Sequence, residues 1–253
     1  MQNLYESDRA VAEYLLFHYG SAEEILPYPS GPVSALGFAV RTVSELLDPH
    51  PLPAEARALD IGCAVGRSAF ELSRRCAEVV GIDYSHAFVQ AAELIRTHGN
   101  RPYERVDEGE LTTALVARLP AQASPARVRF EQGDAMALRA DLGVFDVVHA
   151  ANLIDRLPEP IRFLERAPSL VKPGGLLLLT SPYTWLESFT PRTHWLGGLV
   201  RNGHPLRTLE ALRRTLEPHF RLQERRDLPF LIREHARKFQ WSVAEGTVWT
   251  RNA

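Results

Sequence analysis

The sequence predicts an α/β fold in which a mostly parallel sheet has helices on both faces and is preceded by a helical cap. An apolar run ends at Asp60, passes through the small-residue turn Gly62–Gly66 and continues into a stretch with helical character. Further strand patterns then recur along the chain: apolar runs typical of buried strands at 79–83, 145–151 and 172–180, and an alternating strand at 128–132. Strands alternating with helices in this way are typical of a doubly wound sheet.

Length and composition limit the possible functions. The 253 residues, 45% of them apolar, suffice for one sizeable core, so we predict a single domain over 1–253. The net charge is -2, and the only lysines, Lys172 and Lys238, form no basic block, which argues against a nucleic-acid partner. No segment has the form of a membrane span or a secretory leader. Cys63 and Cys76 fit no metal-ligand spacing, so we predict no metal and a cytoplasmic location.

The turn after the first strand has the properties of a nucleotide-binding loop. Gly62 and Gly66 let the backbone approach a ligand where a Cβ atom would collide with it. Asp83 closes the second strand, where a carboxylate can accept hydrogen bonds from both hydroxyls of a ribose. A dinucleotide fingerprint is not matched, because Ala64 and Arg67 occupy its second and third glycine positions.

The pattern Asp60-x-Gly62-x-x-x-Gly66 resembles the first loop of class I S-adenosylmethionine (SAM) methyltransferases, which have a Rossmann-like sheet of seven mostly parallel strands. The resemblance implies SAM as the cofactor, with Asp60 beneath its methionine end and Asp83 on its ribose. The alternative is a strand and turn of this kind that binds no ligand. The residues predicted to bind the cofactor lie in this loop, after later strands and in the cap: Asp60, Gly62, Cys63, Ala64, Gly66, Asp83, Tyr84, Asp134, Ala135, Asn152, Arg41 and Tyr28.

The first 53 residues are predicted to form the helical cap. Ser7 can cap a helix that runs to about Tyr19 and stops at Gly20, and a second helix is predicted over Phe38–Leu47. The simpler interpretation gives this cap no further role. The alternative is that some of its side chains line a pocket beside the cofactor, where Arg41 would pair with the cofactor's carboxylate. These side chains are Tyr5, Tyr14, Tyr28 and Arg41.

Polar residues follow the third and fourth strands of the predicted sheet. The resemblance implies that Asp134, after the strand 128–132, contacts the amine of adenine; the alternative is a helix cap or a turn residue. Asn152, Asp155 and Arg156 leave the fourth strand at the carboxyl edge of the sheet, where ligands of open α/β sheets bind. They are predicted to meet the sulfonium and the acceptor molecule. The competing interpretation is that Asp155 and Arg156 form a structural surface pair.

Three further segments bear on the acceptor site. Aromatic, proline and glycine residues crowd the loop 181–198, which suits the walls of a pocket. The last two strands are predicted at 220–226 and 241–249, and the link 229–240 between them is expected near the same edge. The side chains predicted to face the acceptor from these segments are Tyr183, Trp185, Arg233 and Gln240. The segment 98–127 has no clear periodicity and is predicted to be an insertion, either mobile or a lid over the site.

Several segments together resemble the mercaptohistidine N-methyltransferase of ovothiol biosynthesis, nearly end to end: Leu4–Asp8, Glu13–Gly20, Asp60–Ser68, Phe130–Asp134, Ser181–Trp185, Trp195–Gly198 and Lys238–Glu245. That family is usually fused to a sulfoxide synthase, so this chain is expected to be a stand-alone form or an excised domain that cooperates with a separate synthase. The resemblance implies methyl transfer from SAM to an imidazole nitrogen of 5-thiohistidine, which gives ovothiol A. For this reaction we predict Asn152, Asp155 and Tyr183 as catalytic residues. The predicted substrate-binding residues are Tyr5, Tyr14, Arg156, Tyr183, Trp185, Arg233 and Gln240.

Two other functions remain compatible with the sequence. One is methylation of a different small molecule, such as the oxygen of a phenol, because the cofactor site would be the same. The other is a module that binds SAM without transferring its methyl group. A DNA or protein-glutamine methyltransferase is disfavoured, since the fourth strand is followed by Ala151–Asp155 and not by the Asn/Asp-Pro-Pro-Tyr of such enzymes.

Overall fold

The computed structural model describes residues 4–253, so the first three residues of the predicted cap lie outside the described part of the chain. The helices are α1 Asp8–Tyr19, α2 Ala22–Ile25, α3 Phe38–Ser44, α4 Arg67–Leu72, α5 His86–His98, α6 Pro160–Arg166 and α7 Thr208–Leu216. The strands are β1 Arg57–Ile61, β2 Glu78–Asp83, β3 Asn100–Glu108, β4 Leu111–Arg118, β5 Val128–Gln132, β6 Phe145–Ala151, β7 Val171–Ser181, β8 Leu199–Arg201, β9 His204–Leu206, β10 Phe220–His235 and β11 Lys238–Arg251.

Seven of these strands form one sheet in the order β10-β11-β7-β6-β1-β2-β5. All neighbours are parallel except β11, which is antiparallel to both β10 and β7. This confirms the predicted fold class. The chain builds outward from β1 through β2 to β5, then returns to the other side of β1 for β6 and β7. Ligands of such sheets bind at the carboxyl ends of the strands where the order reverses, here between β1 and β6.

Alternate residues of the central strands pack on opposite faces of the sheet. Leu59 and Ile61 of β1 belong to a core that also includes Phe163 of α6 and Leu212 of α7. Ala58 of β1 faces a second core, which includes buried side chains from α1, α3, α4 and α5. The sheet is thus covered by helices on both sides, as the near-continuous apolar strands predict.

The cap helix α1 is confirmed at both ends. The Ser7 side chain accepts a hydrogen bond from the backbone N–H of Ala10 at 3.2 Å, and Gly20 closes the helix by donating to the carbonyl of Leu16 at 2.9 Å. Val11 and Leu15 are buried on its inner face. The second cap helix is shorter than predicted, because α3 ends at Ser44.

Residues 98–127 are more ordered than predicted. Most of this segment is the antiparallel hairpin β3–β4, which lies outside the main sheet and contacts α1, α5 and β10. Of its side chains only Tyr103 and Ala117 are buried, so hydrophobic periodicity could not reveal it. Its role as a lid stays a prediction.

The segment 229–240 is not a link. Strands β10 and β11 continue through it as one long hairpin, which projects past Ser181, the last residue of β7. Arg233 is buried in this hairpin and donates to the carbonyl of Glu24 at 2.8 Å and to the carboxylate of Asp107 at 2.9 Å. The hairpin therefore joins α2 of the cap to the β3–β4 hairpin. None of the described helices is long and apolar enough to cross a bilayer.

Candidate functional site

The first loop is held against the end of β2. The backbone N–H groups of Gly62 and Cys63 donate to the carbonyl of Ile82 at 2.8 and 3.1 Å, and Gly66 donates to Cys63 at 2.9 Å. Gly62 and Gly66 both have left-handed backbones, with φ of 73° and 87°, which favour glycine. The loop therefore presents a fixed backbone curve at the carboxyl end of β1.

Gly66→Ala is expected to destabilise the protein more than Gly109→Ala. Both residues have a positive φ, so a side chain costs about 1–2 kcal/mol at either position. A Cβ atom on Gly66 would lie 2.6 Å from Cζ of Phe130 and 2.9 Å from Cβ of Ala92, whereas nothing lies within 4 Å of one on Gly109. Such overpacking adds about 1–3 kcal/mol. Urea denaturation measures the free energy of unfolding of both variants. An equal decrease in the two would contradict the close packing of this loop.

Asp83 lies beside this loop at the end of β2. Its carboxylate accepts from the backbone N–H of Ala64 at 2.8 Å and from that of Ser85 at 2.9 Å. Burial is the main reason that its pKa is raised to about 6, and the two N–H donors oppose that effect. Asp83 thus ties the first loop to the start of α5.

A buried pair lies beneath the loop. Asp60 of β1 and His149 of β6 are register partners, and Nδ1 of His149 lies 2.7 Å from Oδ1 of Asp60. Both side chains are 1% exposed. Neither Oδ2 of Asp60 nor Nε2 of His149 has a hydrogen-bond partner within residues 4–253. Sequence analysis missed His149, because only the register between β1 and β6 brings it to Asp60.

Three non-glycine residues at the carboxyl edge have left-handed backbones. Ala64, Asn152 and Tyr183 have φ of 47°, 50° and 54°. Such conformations cost about 1–3 kcal/mol each and cluster at binding and catalytic sites. The structure thus concentrates backbone strain where β1, β6 and β7 end.

Side chains around β6 and β7 are fixed by hydrogen bonds. The Asn152 side-chain oxygen accepts from the Thr180 hydroxyl at 2.9 Å, and the Tyr183 hydroxyl donates to Oε2 of Glu245 at 2.6 Å. Burial, with Glu245 next, raises the pKa of Tyr183, so the phenol stays neutral. Arg225 pairs with the other oxygen of Glu245. Glu245 was not predicted as a site residue, because it reaches Tyr183 only through the pairing of β11 with β7.

Asp155 and Arg156 are anchored in the turn after β6. Asp155 is fully buried, and its carboxylate accepts from the backbone N–H of Thr184 and from Arg156, both at 3.0 Å. Burial raises the pKa of Asp155, and the Arg156 charge opposes that rise. The Arg156 guanidinium also lies 4.9 Å from the ring centre of Phe189. The structural interpretation is thus borne out as far as the Asp155–Arg156 ion pair itself, with Asp155 buried and Arg156 partly exposed, and contact of these residues with an acceptor stays a prediction.

The helical cap contributes Tyr5 and Tyr14, which lie near Arg156. Burial raises the pKa of Tyr5, while Arg156 and Tyr14, which lie near its hydroxyl, oppose the rise. The Tyr5 and Tyr14 rings pack edge to face, with centroids 5.9 Å apart and planes at 83°. Asp83 is close enough to act on the pKa of both tyrosines. The structure therefore joins the predicted cofactor and acceptor residues through Tyr5, Tyr14, Asp83 and Arg156.

Four other residues predicted to bind the cofactor lie after β1, β2 and β5 and differ in burial. Asp134 accepts from the backbone N–H of Met136 at 2.8 Å, which confirms the turn interpretation and leaves the adenine contact a prediction. Tyr84 is exposed, Ala135 is half-buried, and Cys63 is buried, which raises the pKa of its thiol.

Several predicted residues have their partners elsewhere. Arg41 is engaged by Glu45 and by the carbonyls of Leu36 and Pro229, so its assignment to the cofactor carboxylate is not supported. The other four are engaged as follows: Tyr28 donates to Ala236, Trp185 is buried with its Nε1 on Thr208, Arg233 pairs with Asp107, and Gln240 donates to Glu234. Trp185 and Arg233 are buried by these contacts, whereas Gln240 is exposed on the hairpin. The described residues contain no cluster of His, Cys, Asp and Glu that could hold a metal ion.

Comparison with known proteins identifies the family. A family model described as a methyltransferase domain matches residues 35–219. The chain belongs to this methyltransferase family. With its seven-stranded sheet, this methyltransferase is an enzyme of the class I, SAM-dependent type, as predicted.

Curated relatives of this methyltransferase carry the name ubiquinone biosynthesis O-methyltransferase. The protein from Marinobacter nauticus is 29% identical over 152 residues, which is 58% of this chain and 55% of the relative. The protein from Xanthomonas axonopodis is 30% identical over 155 residues, 60% of this chain and 53% of the relative. The match thus spans only about half the length of these relatives.

Solved structures share the fold of this methyltransferase. The [4+2]-cyclase SpnF has a TM-score of 0.59 at 18% identity, and the match covers 98% of this chain and 94% of SpnF. The N-methyltransferase NodS from Bradyrhizobium japonicum, solved with S-adenosyl-L-homocysteine (SAH), has a TM-score of 0.53 at 14% identity, covering 96% and 99%. At such identities the likeness concerns the fold alone.

Proposed function

We propose that the residues around the first loop hold SAM. Asp83 accepts hydrogen bonds from the ribose hydroxyls, Asp60 lies beneath the methionine end, and the left-handed backbone at Gly62 and Gly66 shapes the loop that contacts the ligand. The left-handed loop and the unpartnered Oδ2 of Asp60 support this assignment. The neighbouring contacts are Cys63, Ala64, Tyr84, Asp134, Ala135 and Asn152. When bound, SAM supplies a methyl group on a positively charged sulfonium.

Binding of 5′-methylthioadenosine, which has the ribose of SAM but no amino-acid end, is expected to weaken below about pH 6. The pKa of Asp83 in the free protein is raised to about 6, and ribose hydroxyls bind the carboxylate better than the neutral acid. The affinity for 5′-methylthioadenosine is therefore constant above that pH, where Asp83 is ionised, and falls by up to about tenfold per pH unit below it. Calorimetry across this range measures the profile. Asp83→Asn has no group to titrate, and a profile equal to that of the wild type would reject the assignment.

We further propose that the acceptor molecule lies above the ends of β6 and β7 and carries a carboxylate. The observation that carries this proposal is Arg156, whose guanidinium is held by the fully buried Asp155 beside Tyr5. Arginine binds carboxylates through two parallel hydrogen bonds, and a side chain already fixed loses little entropy on binding. The acceptor is thus a small polar molecule.

The acceptor that fits best is 5-thiohistidine, methylated on an imidazole nitrogen to give ovothiol A. The resemblance of seven segments to the mercaptohistidine N-methyltransferase supports this choice. So does the chemistry of the site, in which Arg156 suits the amino-acid carboxylate, and Asn152 and Tyr183 suit a polar ring. A separate sulfoxide synthase would supply this substrate.

The residues of the chain act mainly by positioning. Nucleophile, methyl carbon and sulfonium must be collinear, and holding them so is worth roughly 7–11 kcal/mol. The thiolate of the substrate is a better nucleophile than its ring nitrogen, so the site has to direct the nitrogen to the methyl group. Tyr183, fixed by Glu245, and Asn152, fixed by Thr180, provide rigid polar contacts for that purpose.

The test uses the purified protein with SAM and 5-thiohistidine, and NMR locates the new methyl group. We expect it on a ring nitrogen. Methylation on sulfur, or absence of turnover while another acceptor is methylated well, would discard the thiohistidine assignment.

A second candidate is O-methylation of a phenol. The names of the curated relatives favour it, since they are O-methyltransferases of ubiquinone biosynthesis. A catechol carboxylate as acceptor in the same NMR assay distinguishes the two reactions by the atom that gains the methyl group. Tight SAH binding without turnover of either acceptor would favour a SAM-binding module.

We also propose that the chain is one domain, 1–253, in which the cap, 1–53, and the segment 98–127 enclose the site, the latter as a lid. The ion pair of Asp107 with Arg233 supports this, because it couples β3–β4 to β10. Hydrogen exchange in residues 100–118 should slow on SAH binding. Unchanged exchange would mark the hairpin as a fixed wall.

A further inference from the structure

An open cavity of about 410 Å³ lies between the cap loop 26–32 and the long hairpin of β10 and β11. Three aromatic side chains, Tyr28, Phe239 and Trp241, form much of its wall. Trp241 precedes Glu245, the register partner at the end of β7, by four positions along β11. At about 3.3 Å per residue the cavity therefore lies roughly 13 Å beyond the carboxyl edge of the sheet.

Trp241 is unusually exposed for a side chain of its size. It is 58% exposed, although its register neighbour on β10, Leu231, is 2% exposed. Val243, the next residue on the same face of β11, is 39% exposed. The indole N–H of Trp241 has no partner within residues 4–253, whereas the other three tryptophans donate theirs to the protein. A grouped apolar surface that the fold leaves open in this way marks an interaction site.

A positive charge stands beside these aromatic walls. The Arg237 guanidinium lies 5.9 Å from the centre of the Tyr28 ring, and it forms no ion pair in the part of the chain that the structure describes. The Tyr28 ring is itself fixed, because its hydroxyl donates to the carbonyl of Ala236 at 2.8 Å and the ring packs edge to face on Phe239. The cation and its aromatic support are thus in place before any ligand arrives.

We propose that this cavity is a second ligand site of the protein and binds a small aromatic carboxylate. The flat apolar walls at Trp241 and Tyr28 suit an aromatic ring, and the unpaired guanidinium of Arg237 suits a carboxylate through two parallel hydrogen bonds. The volume is at the lower end of the range for small-molecule sites, about 300–1,000 Å³, so the ligand has one or two rings. The ligand is bound here without any covalent change.

The test compares two probes that share a ring and differ in charge. Indole-3-acetate has the carboxylate, whereas indole-3-acetamide is neutral, and calorimetry with SAH present at saturating concentration measures both affinities. In Arg237→Gln the affinity for the acid should fall by about tenfold or more, the loss of a charged hydrogen bond, and that for the amide by less than about twofold. Absence of binding of the acid, or an equal loss for both probes, would overturn the proposal.

Two arginine variants serve as controls. Arg192→Gln is matched, because the Arg192 guanidinium also lies near an aromatic ring, 5.3 Å from the centre of Trp195, and forms no ion pair among the described residues. Arg156→Gln removes the carboxylate contact proposed for the methyl acceptor. Both variants should bind indole-3-acetate like the wild type. A loss in Arg156→Gln, or displacement of the acid by SAH, would place it in the acceptor or cofactor site and would refute a second site.

NMR locates the bound acid directly. The indole N–H signal of Trp241, identified as the signal missing from Trp241→Phe, should shift on addition of indole-3-acetate while the other three indole signals stay in place. Shifts confined to the other tryptophans would reject the proposal. Trp241→Ala should weaken both probes by about tenfold through lost stacking. Arg237 and Trp241 are exposed, so their replacement should leave thermal unfolding nearly unchanged.

Discussion

Asp83→Ala is expected to weaken SAH binding by at least about 100-fold. In the proposed complex the carboxylate accepts from two ribose hydroxyls, and hydrogen bonds to a charged group are worth about 1.5–3 kcal/mol each. The same carboxylate receives the backbone N–H groups of Ala64 and Ser85, so its removal also releases the first loop from the start of α5. Calorimetric titration with SAH measures the change.

Asp141→Ala is the matched control, because the Asp141 side chain is 81% exposed and, within residues 4–253, forms an ion pair with Arg139 alone. It should bind SAH like the wild type. Thermal unfolding of both variants separates loss of binding from loss of fold. Unchanged affinity in a folded Asp83→Ala protein would refute the proposed cofactor site.

The cap is fastened to the turn that carries Asp83. The Glu6 carboxylate accepts from the backbone N–H groups of His86 and Ala87 at 2.9 and 3.2 Å, so a cap residue supplies acceptors to the start of α5. The Ser85 hydroxyl donates to the carbonyl of Tyr5 at 2.9 Å. The turn after Asp83 and the cap segment with Tyr5 and Glu6 are therefore one hydrogen-bonded unit.

Local patterns predicted the parts of the fold that depend on neighbouring residues. The α1 cap and the strand-turn-helix around Asp60 were predicted correctly because capping and apolar runs are encoded over a few positions. The last two strands were predicted, but their continuation through 229–240 and the hairpin β3–β4 were missed, the latter because few of its side chains are buried. Pro229 and the charged residues that follow it also lack the apolar alternation of a strand.

The candidate site residues also divide into those that local sequence patterns indicate and those that depend on strand pairing. Asp83, Asn152 and Asp155 were identifiable because each follows a buried strand, and parallel strands bring their carboxyl ends to one edge. His149 and Glu245 lie within strands, and their importance depends on register with β1 and β7. The partners of Tyr28, Arg233 and Gln240 could not be predicted from sequence, because they depend on the long hairpin, and the binding roles of these residues stay predictions.

Arg156→Gln is expected to lower kcat/KM for 5-thiohistidine by about 100-fold while SAH affinity changes less than about threefold. Truncating one partner of a buried, hydrogen-bonded charge pair costs about 2–5 kcal/mol. In the proposed complex Arg156 holds the substrate carboxylate, and the variant also leaves Asp155 without its cation. Steady-state kinetics and SAH calorimetry measure the two quantities separately.

Arg162→Gln on α6 is the matched control, because Arg162 is 57% exposed and pairs only with Glu159 among its ionic partners. The kcat/KM of Arg162→Gln for 5-thiohistidine should equal that of the wild type. The decarboxylated substrate, which lacks the group that Arg156 would bind, adds a second comparison. Its kcat/KM should be low with the wild type, and Arg156→Gln should lower that value little further. If Arg156→Gln lowers kcat/KM by the same factor for both substrates, Arg156 supports the fold of the site through Asp155 and Thr184, and the acceptor needs no carboxylate.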